Sequence, residues 1–264
     1  MRLRRKSDSS GGTEASKSAR TAGKTPPPTI IRWHEPDNPL PLRTILVPRP
    51  ARGHAPASDA PAWLRSGPTD RPFDFCGHVR RLCSDVVRHS DALRHIDVSR
   101  LLFGVLQARS GRRHGLQARV TPLRCHGGAL TRQRHDVPYQ VQRFFVDGRE
   151  MLYLVTFCLP RFLDQGFDDK FITLFHELYH ISPAFEGDLR RRDGRCALHT
   201  HSKRLYDSHM AEMARAYLSN GADRQLHEFL RLNFAQLQHR HGAVVGVTVP
   251  RPRLIPVAAT DSLQ

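Results

Sequence analysis

The pattern of apolar and polar positions predicts a helix over residues 171–181. Five apolar residues recur at the three- and four-residue spacing of one helix face: Phe171, Leu174, Phe175, Leu178 and Ile181. Asp168 and Asp169 come just before them. Their carboxylates can cap the helix by accepting backbone hydrogen bonds, and their negative charge favours the helix N-terminus. Pro183 then ends the run. This stretch therefore begins, continues and ends as a helix should.

The segments on its N-terminal side predict a second helix and several strands. An amphipathic pattern from Phe75 towards Ile96 predicts the helix. Apolar runs at residues 100–106 and 116–123 flank a basic loop that contains a glycine, which predicts two adjacent strands. Asp147 and Gly148 separate two runs of β-branched and aromatic residues, at 139–146 and 151–157, which predicts a hairpin with a tight turn.

Two further helices are predicted on the C-terminal side. The first begins near Ser202 and ends at Asn220 and Gly221, because glycine is favoured just past a helix end. The second runs from Asp223 to about Arg240, and residues 243–249 add a last strand. The expected fold class is therefore α+β, with a small β-sheet packed against the helix at 171–181 and two C-terminal helices.

Residues 1–70 differ in composition from the rest of the chain. They are rich in Ser, Gly, Pro and Arg, and their apolar residues are too sparse to offset the entropy of ordering. We predict a disordered basic arm here, with short docking strands near Ile31 and Ile45 as the alternative. The expected division is this arm, a folded domain at 71–242, and a C-terminal strand with a flexible tail at 243–264.

Net charge, hydropathy and cysteine content indicate which partners and which cellular compartment to expect. The formal net charge is +16, which favours contact with nucleic acid or other anionic partners, although a solvated arginine-rich surface explains it equally well. No apolar run approaches the roughly 20 residues of a membrane span, and residues 1–24 lack the apolar segment of a secretory signal. The five cysteines form no Cys-x-x-Cys pair, so we expect reduced thiols and a cytoplasmic protein without a membrane partner.

Candidate chemistry lies on the central predicted helix, at His176, Glu177 and His180. In His-Glu-x-x-His the two histidines are four residues apart and share one helix face, so both imidazoles can bind one ion. Glu177 lies beside them, where a carboxylate can take a proton from a water molecule at the metal. The pattern is that of zinc metallopeptidases and predicts a Zn²⁺ site. The alternative is a core helix, which would have to bury these three polar side chains with a partner for each.

A catalytic zinc usually takes three protein ligands and keeps one position for water, so a third ligand is needed. His201 is the preferred candidate, because it comes directly before a helix with Ser202 at its cap. His199 would lie on the same side of an extended segment and is the close competitor. The less favoured candidates are Asp207, His209, Glu212 and Glu228.

Several motifs together resemble the phage metallopeptidase family. They are SRLLF (99–103), ARVTPL (118–123), HELYHISP (176–183), GDLRR (187–191), HTHS (199–202) and YD (206–207). The resemblance covers residues 73–241 and implies a zincin-like, metal-dependent peptidase. A looser similarity to SprT-like proteases rests on His201 and Leu205, since the third histidine of those proteins precedes a helix with an apolar residue four positions on. The Cys-rich zinc ribbon often attached to SprT-like proteins has no counterpart in this sequence.

We therefore expect a zinc-dependent metallopeptidase that acts on a protein or peptide. His176, His180 and His201 would bind Zn²⁺, and Glu177 would be the general base towards the metal-activated water. In zincin-like sheets an edge strand pairs with an extended substrate, and residues 151–157 are a candidate, although we favour an ordinary structural strand there. The alternative function is a basic nucleic-acid-binding protein whose histidine cluster is a structural or degenerate metal site.

Overall fold

The secondary structure confirms the α+β class. The computed structural model describes residues 71–108, 115–191 and 203–256, together with two strands at 29–32 and 41–46. The strands are β1 (Thr29–Arg32), β2 (Pro41–Leu46), β3 (Phe73–Asp74), β4 (Leu101–Gln107), β5 (Ala118–Pro122), β6 (Thr131–Arg134), β7 (Val137–Val141), β8 (Phe144–Val146), β9 (Arg149–Met151), β10 (Tyr153–Leu159), β11 (Val244–Thr248) and β12 (Leu254–Pro256). The α-helices are α1 (Phe75–Arg88), α2 (Phe167–Tyr179), α3 (Lys203–Ser219), α4 (Arg224–His227) and α5 (Phe234–His241).

The sheet at the core has the order β4-β10-β5. Strand β10 runs parallel to β4 and antiparallel to β5, and all seven of its residues are buried. The strands predicted at 100–106 and 116–123 are therefore both present, but they are not adjacent, because β10 lies between them. The interpretation of residues 151–157 as an edge strand is wrong for the same reason, and the favoured alternative of a structural strand is confirmed. The most continuously apolar run takes the position with both faces covered, as a buried strand requires.

Helix α1 packs its apolar face on this sheet. Phe75 makes edge-to-face contacts with Phe157 and Phe162 at centroid distances of 5.4 and 5.9 Å. Asp74 caps the helix by accepting a hydrogen bond from the Gly77 N–H at 3.1 Å. The helix ends at Arg88, earlier than the sequence pattern suggested, and short 3₁₀ turns carry the chain to β4.

Helix α2 carries the His-Glu-x-x-His motif. Its N-cap is Gly166, so Asp168 and Asp169 lie in the first turn, where they supply charge to the helix dipole but not the cap itself. Lys170 is buried and donates hydrogen bonds to the carbonyls of Leu230 and Leu232 at 2.7 and 2.9 Å. The lysine therefore attaches the start of α2 to the C-terminal part of the fold.

The C-terminal region differs from the prediction in its second helix. Helix α3 ends at Ser219, as predicted, but the helix predicted from Asp223 to Arg240 is interrupted. It divides into α4, a 3₁₀ turn and α5, because Asn233 begins α5 with a reciprocal capping box to Gln236. In the described part of the chain no helix is both long and apolar enough to cross a membrane.

A second sheet has the order β1-β2-β11-β3 and includes part of the N-terminal arm. Strand β2 pairs antiparallel with both β1 and β11, so the docking strands considered as an alternative are present at 29–32 and 41–46. The arm is thus not without secondary structure at these two segments, and the rest of residues 1–70 lies outside the described residues. The strand predicted at 243–249 is confirmed as β11. The predicted flexible tail contains a further strand, β12, which pairs with β7, and residues 257–264 lie outside the described residues.

The predicted hairpin is present but shorter than expected. Strands β8 and β9 pair around Asp147 and Gly148, whose φ angles of 51° and 71° suit a tight hairpin turn. Residues 139–141 belong instead to β7, in a separate sheet of order β12-β7-β6. The two turn residues were sufficient to predict the turn. The partner of each flanking strand depends on residues that are distant in the sequence.

Candidate metal centre

The three motif residues meet at the C-terminal end of α2. One potential ligand atom from each of His176, Glu177 and His180 lies within 4.8 Å of the others. The two imidazole rings are 4.4 Å apart between centroids and almost perpendicular. The apolar face of α2 is buried in the core, which fixes the helix rotation and turns these three side chains towards a common point. The grouping predicted from the sequence is therefore present.

Glu177 is held by a strand that is 57 positions away in the sequence. Its side chain is buried, and its Oε2 accepts a hydrogen bond from the Val120 N–H in β5 at 2.7 Å. Burial raises the pKa of Glu177 to about 7, although the Val120 hydrogen bond and the nearby charge of Arg119 act to lower it. A carboxylate with a pKa near neutrality is suited to accept and return a proton.

Strand β5 lies beside the motif helix and has a free edge there. In the described part of the chain β5 pairs only with β10, and its other edge faces α2, where Val120 reaches Glu177. The N–H and C=O of one residue in an antiparallel strand point to the same side, so the Val120 carbonyl also faces outwards. The edge strand of this site is thus β5 and not the run at 151–157.

Tyr206 of α3 completes the packing around the two histidines. Its ring lies 4.8 Å from that of His176 and 6.1 Å from that of His180, nearly parallel to the latter. The Tyr206 hydroxyl is buried and has no hydrogen-bond partner among the described residues. Burial raises the pKa of Tyr206, so this group remains a neutral donor. Tyr206 belongs to one of the sequence motifs, and its position beside the two histidines required the structure.

Arg190 holds the C-terminal end of α2. Its Nε donates to the Tyr179 carbonyl at 2.7 Å, and its guanidinium lies 4.0 Å from the centre of the Tyr179 ring. Its backbone N–H donates to the His180 carbonyl, also at 2.7 Å. A cation that satisfies the last carbonyls of a helix also complements the helix dipole. The loop after α2 therefore fixes the backbone that carries His180.

Asp188 anchors that loop and was not identified from the sequence. Its carboxylate accepts hydrogen bonds from the backbone N–H groups of Gly127 and Leu189 and from the Arg191 guanidinium, at 2.8–3.1 Å. Its backbone carbonyl accepts from the Tyr153 hydroxyl of β10 at 2.8 Å. Burial acts to raise the pKa of Asp188, but the hydrogen bonds from Arg191, Gly127 and Leu189 bring it below its ordinary value. The GDLRR motif thus connects the end of α2 to the core sheet.

Gly187 in the same motif is required by space as well as by conformation. Its φ is 94°, which side chains rarely tolerate, and a Cβ there would lie 2.4 Å from Cγ of Arg124. The tight turn between α2 and Asp188 therefore depends on glycine.

The third ligand lies outside what the structure describes, since His199 and His201 fall within residues 192–202. Among the described residues, none of the other candidates belongs to the metal-binding group. His209 instead packs its ring 5.6 Å from that of Tyr179. Tyr206, five positions after His201, packs on both motif histidines, so the chain enters α3 beside the site.

The donor set fits a zinc ion. Imidazole nitrogen and carboxylate oxygen are ordinary zinc ligands, and two histidines one helical turn apart leave further positions free. No family model, curated protein or solved structure matches the chain.

Proposed function

We propose that the protein is a zinc-dependent metallopeptidase with a zincin-like domain, of the kind that its motifs resemble. The observation that carries this proposal is the convergence of His176, Glu177 and His180 beside the free edge of β5. A coincidental motif on a core helix would bury its glutamate against apolar neighbours. Here the carboxylate is instead held next to two imidazoles and a strand edge.

His176 and His180 bind the zinc ion in this proposal, and His201 is the preferred third ligand, with His199 as its competitor. Bound zinc supplies a water molecule of lowered pKa and polarises the carbonyl of the scissile bond. The edge-on contact of Tyr206 with the His176 ring and the hydrogen bond from Arg190 to the His180 carbonyl keep the two imidazoles oriented for this task.

Glu177 acts as the general base. Its raised pKa allows the carboxylate to accept a proton from the attacking water and to pass that proton to the leaving amine. The Val120 N–H fixes one carboxylate oxygen at 2.7 Å and leaves the other for proton transfer. Positioning of this kind reduces the entropy lost on reaching the reactive geometry.

The free edge of β5 is where a peptide substrate binds in this proposal. An extended peptide can add to an exposed sheet edge through main-chain hydrogen bonds. The outward carbonyl of Val120 belongs to the same residue whose N–H contacts Glu177, so a bound peptide would pass beside the motif. A protein or peptide is therefore the substrate class.

Tyr206 donates a hydrogen bond to the oxyanion that develops on the substrate. Its hydroxyl is buried without a partner among the described residues, whereas Arg190, a cation near the helix end, is already engaged with Tyr179. A preorganised neutral donor costs no reorganisation when negative charge develops.

Metal analysis of purified variants tests the site. The wild-type protein should contain about one zinc per chain, whereas His176→Ala and His180→Ala should lose it. Glu177→Gln should keep the zinc and lose peptidase activity, and His209→Ala is the matched control because its ring lies outside the cluster. Equal zinc in all four variants would place the ion elsewhere and overturn the proposal.

A second set of variants tests the third ligand and the donor. His201→Ala should abolish activity and weaken zinc binding strongly, whereas loss of a residue that only orients a ligand, as His199 would be, costs on the order of 10–100-fold.

Tyr206→Phe should lower kcat on the order of 100-fold and leave the zinc content unchanged. Tyr179→Phe is its control, and an equal loss in both would remove Tyr206 from this role.

A further inference from the structure

The sheet formed by β6, β7 and β12 contributes no residue to the hydrophobic core. None of its twelve residues is buried, and Val137 and Ile255 are exposed to 38 % and 43 %. A sheet of three strands usually packs one face against a core. We call this surface the open sheet. All four residues of its outer strand β6 are exposed, and four of the five residues of its central strand β7 are half-buried.

The pairing register places arginine and tyrosine side chains on one face of the open sheet. Arg132 lies opposite Tyr139, and Arg134 lies opposite Val137. Directly opposed residues in an antiparallel pair point to the same face. The half-buried Tyr139 therefore lies beside two exposed arginines on this face, and Arg251 and Arg253 add charge where the chain enters β12.

This charge is not neutralised within the described part of the chain. Arg132, Arg134, Arg251 and Arg253 have no carboxylate within ion-pair distance there. The nearest acidic residue in the sequence is Asp136, in the turn between β6 and β7, and Glu150 of β9 is already paired with Arg124 and Arg143. The ring of Tyr139 likewise has no aromatic or cationic partner among the described residues.

We propose that the open sheet binds single-stranded DNA through its face with Arg132, Arg134 and Tyr139. The guanidinium groups contact phosphates, and the tyrosine ring stacks on a base. A duplex would satisfy the arginines but presents no base face to the ring. An acidic protein would likewise not require a tyrosine ring beside two cations. Among anionic partners, unpaired nucleotides therefore fit both features.

Fluorescence anisotropy with a labelled oligothymidine of about 15 nucleotides, titrated with the full chain at several salt concentrations, tests the proposal. Arg132→Ala/Arg134→Ala should weaken binding at least tenfold and make the slope of log K against log salt shallower by about 1.4, since each single-strand phosphate contact contributes about 0.7. Tyr139→Leu should weaken binding on the order of tenfold and leave that slope unchanged, because stacking releases no counterions.

The matched control is Arg81→Ala/Arg215→Ala, which removes the same charge from exposed positions on α1 and α3. It should weaken binding less than threefold. An equal loss in the two double variants would show that only net charge matters, and would overturn the proposal. Tighter binding of the same sequence as a duplex, or equal competition by polyglutamate, would also overturn it in favour of those partners.

The zinc content and peptidase activity of these variants separate this inference from the proposed function. None of the substituted residues belongs to the metal centre, so both properties should equal those of the wild type. A protein without peptidase activity would therefore leave the DNA-binding result fully interpretable.

Discussion

The two three-stranded sheets of this protein have opposite relations to solvent. The core sheet β4-β10-β5 has a central strand with every residue buried, whereas the open sheet has no buried residue. Burial of helix α2 against the first sheet places Glu177 in a low-dielectric setting and raises its pKa, which makes a carboxylate useful as a base near neutral pH. Exposure in the second sheet keeps its arginines hydrated and available to an anionic partner. Burial thus separates the region where a side-chain pKa is shifted from the region where charged side chains face solvent.

Charged side chains also differ between the two regions, in whether they need a hydrogen-bond partner within the protein. Beside the core sheet, the buried charges of Asp85, Lys170 and Asp188 each have hydrogen-bond partners, as burial of a charge requires. On the open sheet the arginines need no partner for stability, because water solvates them. Stability and surface recognition should therefore respond to different substitutions, and four measurements examine this.

The largest effect should come from matched aromatic truncations in the two sheets. Phe157→Ala removes a fully buried ring that contacts Phe75 and Phe162, and should lower the free energy of unfolding by about 3–5 kcal/mol. Tyr139→Ala on the open sheet should lower it by less than about 1 kcal/mol. Chemical denaturation measures both. Similar losses would show that the open sheet is covered in solution, in contradiction to its exposed residues.

A smaller effect should follow the loss of the Asp188 charge. Asp188→Asn should cost about 2 kcal/mol, the order expected for hydrogen bonds to a buried charged group. Asp91→Asn is the control, because Asp91 forms an ion pair whose two side chains are largely exposed. Equal losses of unfolding free energy in the two variants would show that Asp188 contributes no more to stability than an exposed carboxylate does.

The pH dependence of Asp188→Asn gives an independent check. The folded-state pKa of Asp188 lies below its unfolded value, so its stabilisation is complete above the unfolded pKa and is lost as pH falls through the folded one. The free energy of unfolding of the wild type should therefore fall more steeply than that of the variant below about pH 4. If the free energy of unfolding fell equally steeply in both proteins as the pH is lowered, the lowered pKa of Asp188 would be contradicted.

The smallest effect should come from removing β1 and β2. Strand β2 pairs with β11 through Leu46↔Val245 and three further residue pairs, so deletion of residues 1–46 exposes that edge. The thermal midpoint should fall by a few degrees, since about 1 kcal/mol corresponds to roughly 2–4 °C in a domain of this size. An unchanged midpoint would show that these strands add nothing to the folded domain, as a disordered arm would predict.

Sequence alone determined the features that depend on neighbours within a few positions. The spacing of apolar residues determined α2 and the common face of His176 and His180, and Asp147 with Gly148 determined the hairpin turn. The end of α3 followed from Asn220 and Gly221 in the same way. Helical periodicity and turn chemistry act locally, so a single sequence carries them.

Contacts between distant segments could be read from the three-dimensional structure alone. It placed β10 between β4 and β5, joined Val120 to Glu177, and brought Asp188 to β10 through Tyr153. It also divided the predicted C-terminal helix at Asn233, where the capping box competes with continued helix. Strand order and the burial of a carboxylate depend on the whole core, because their free energies come from desolvation and from hydrogen bonds between residues far apart in the chain.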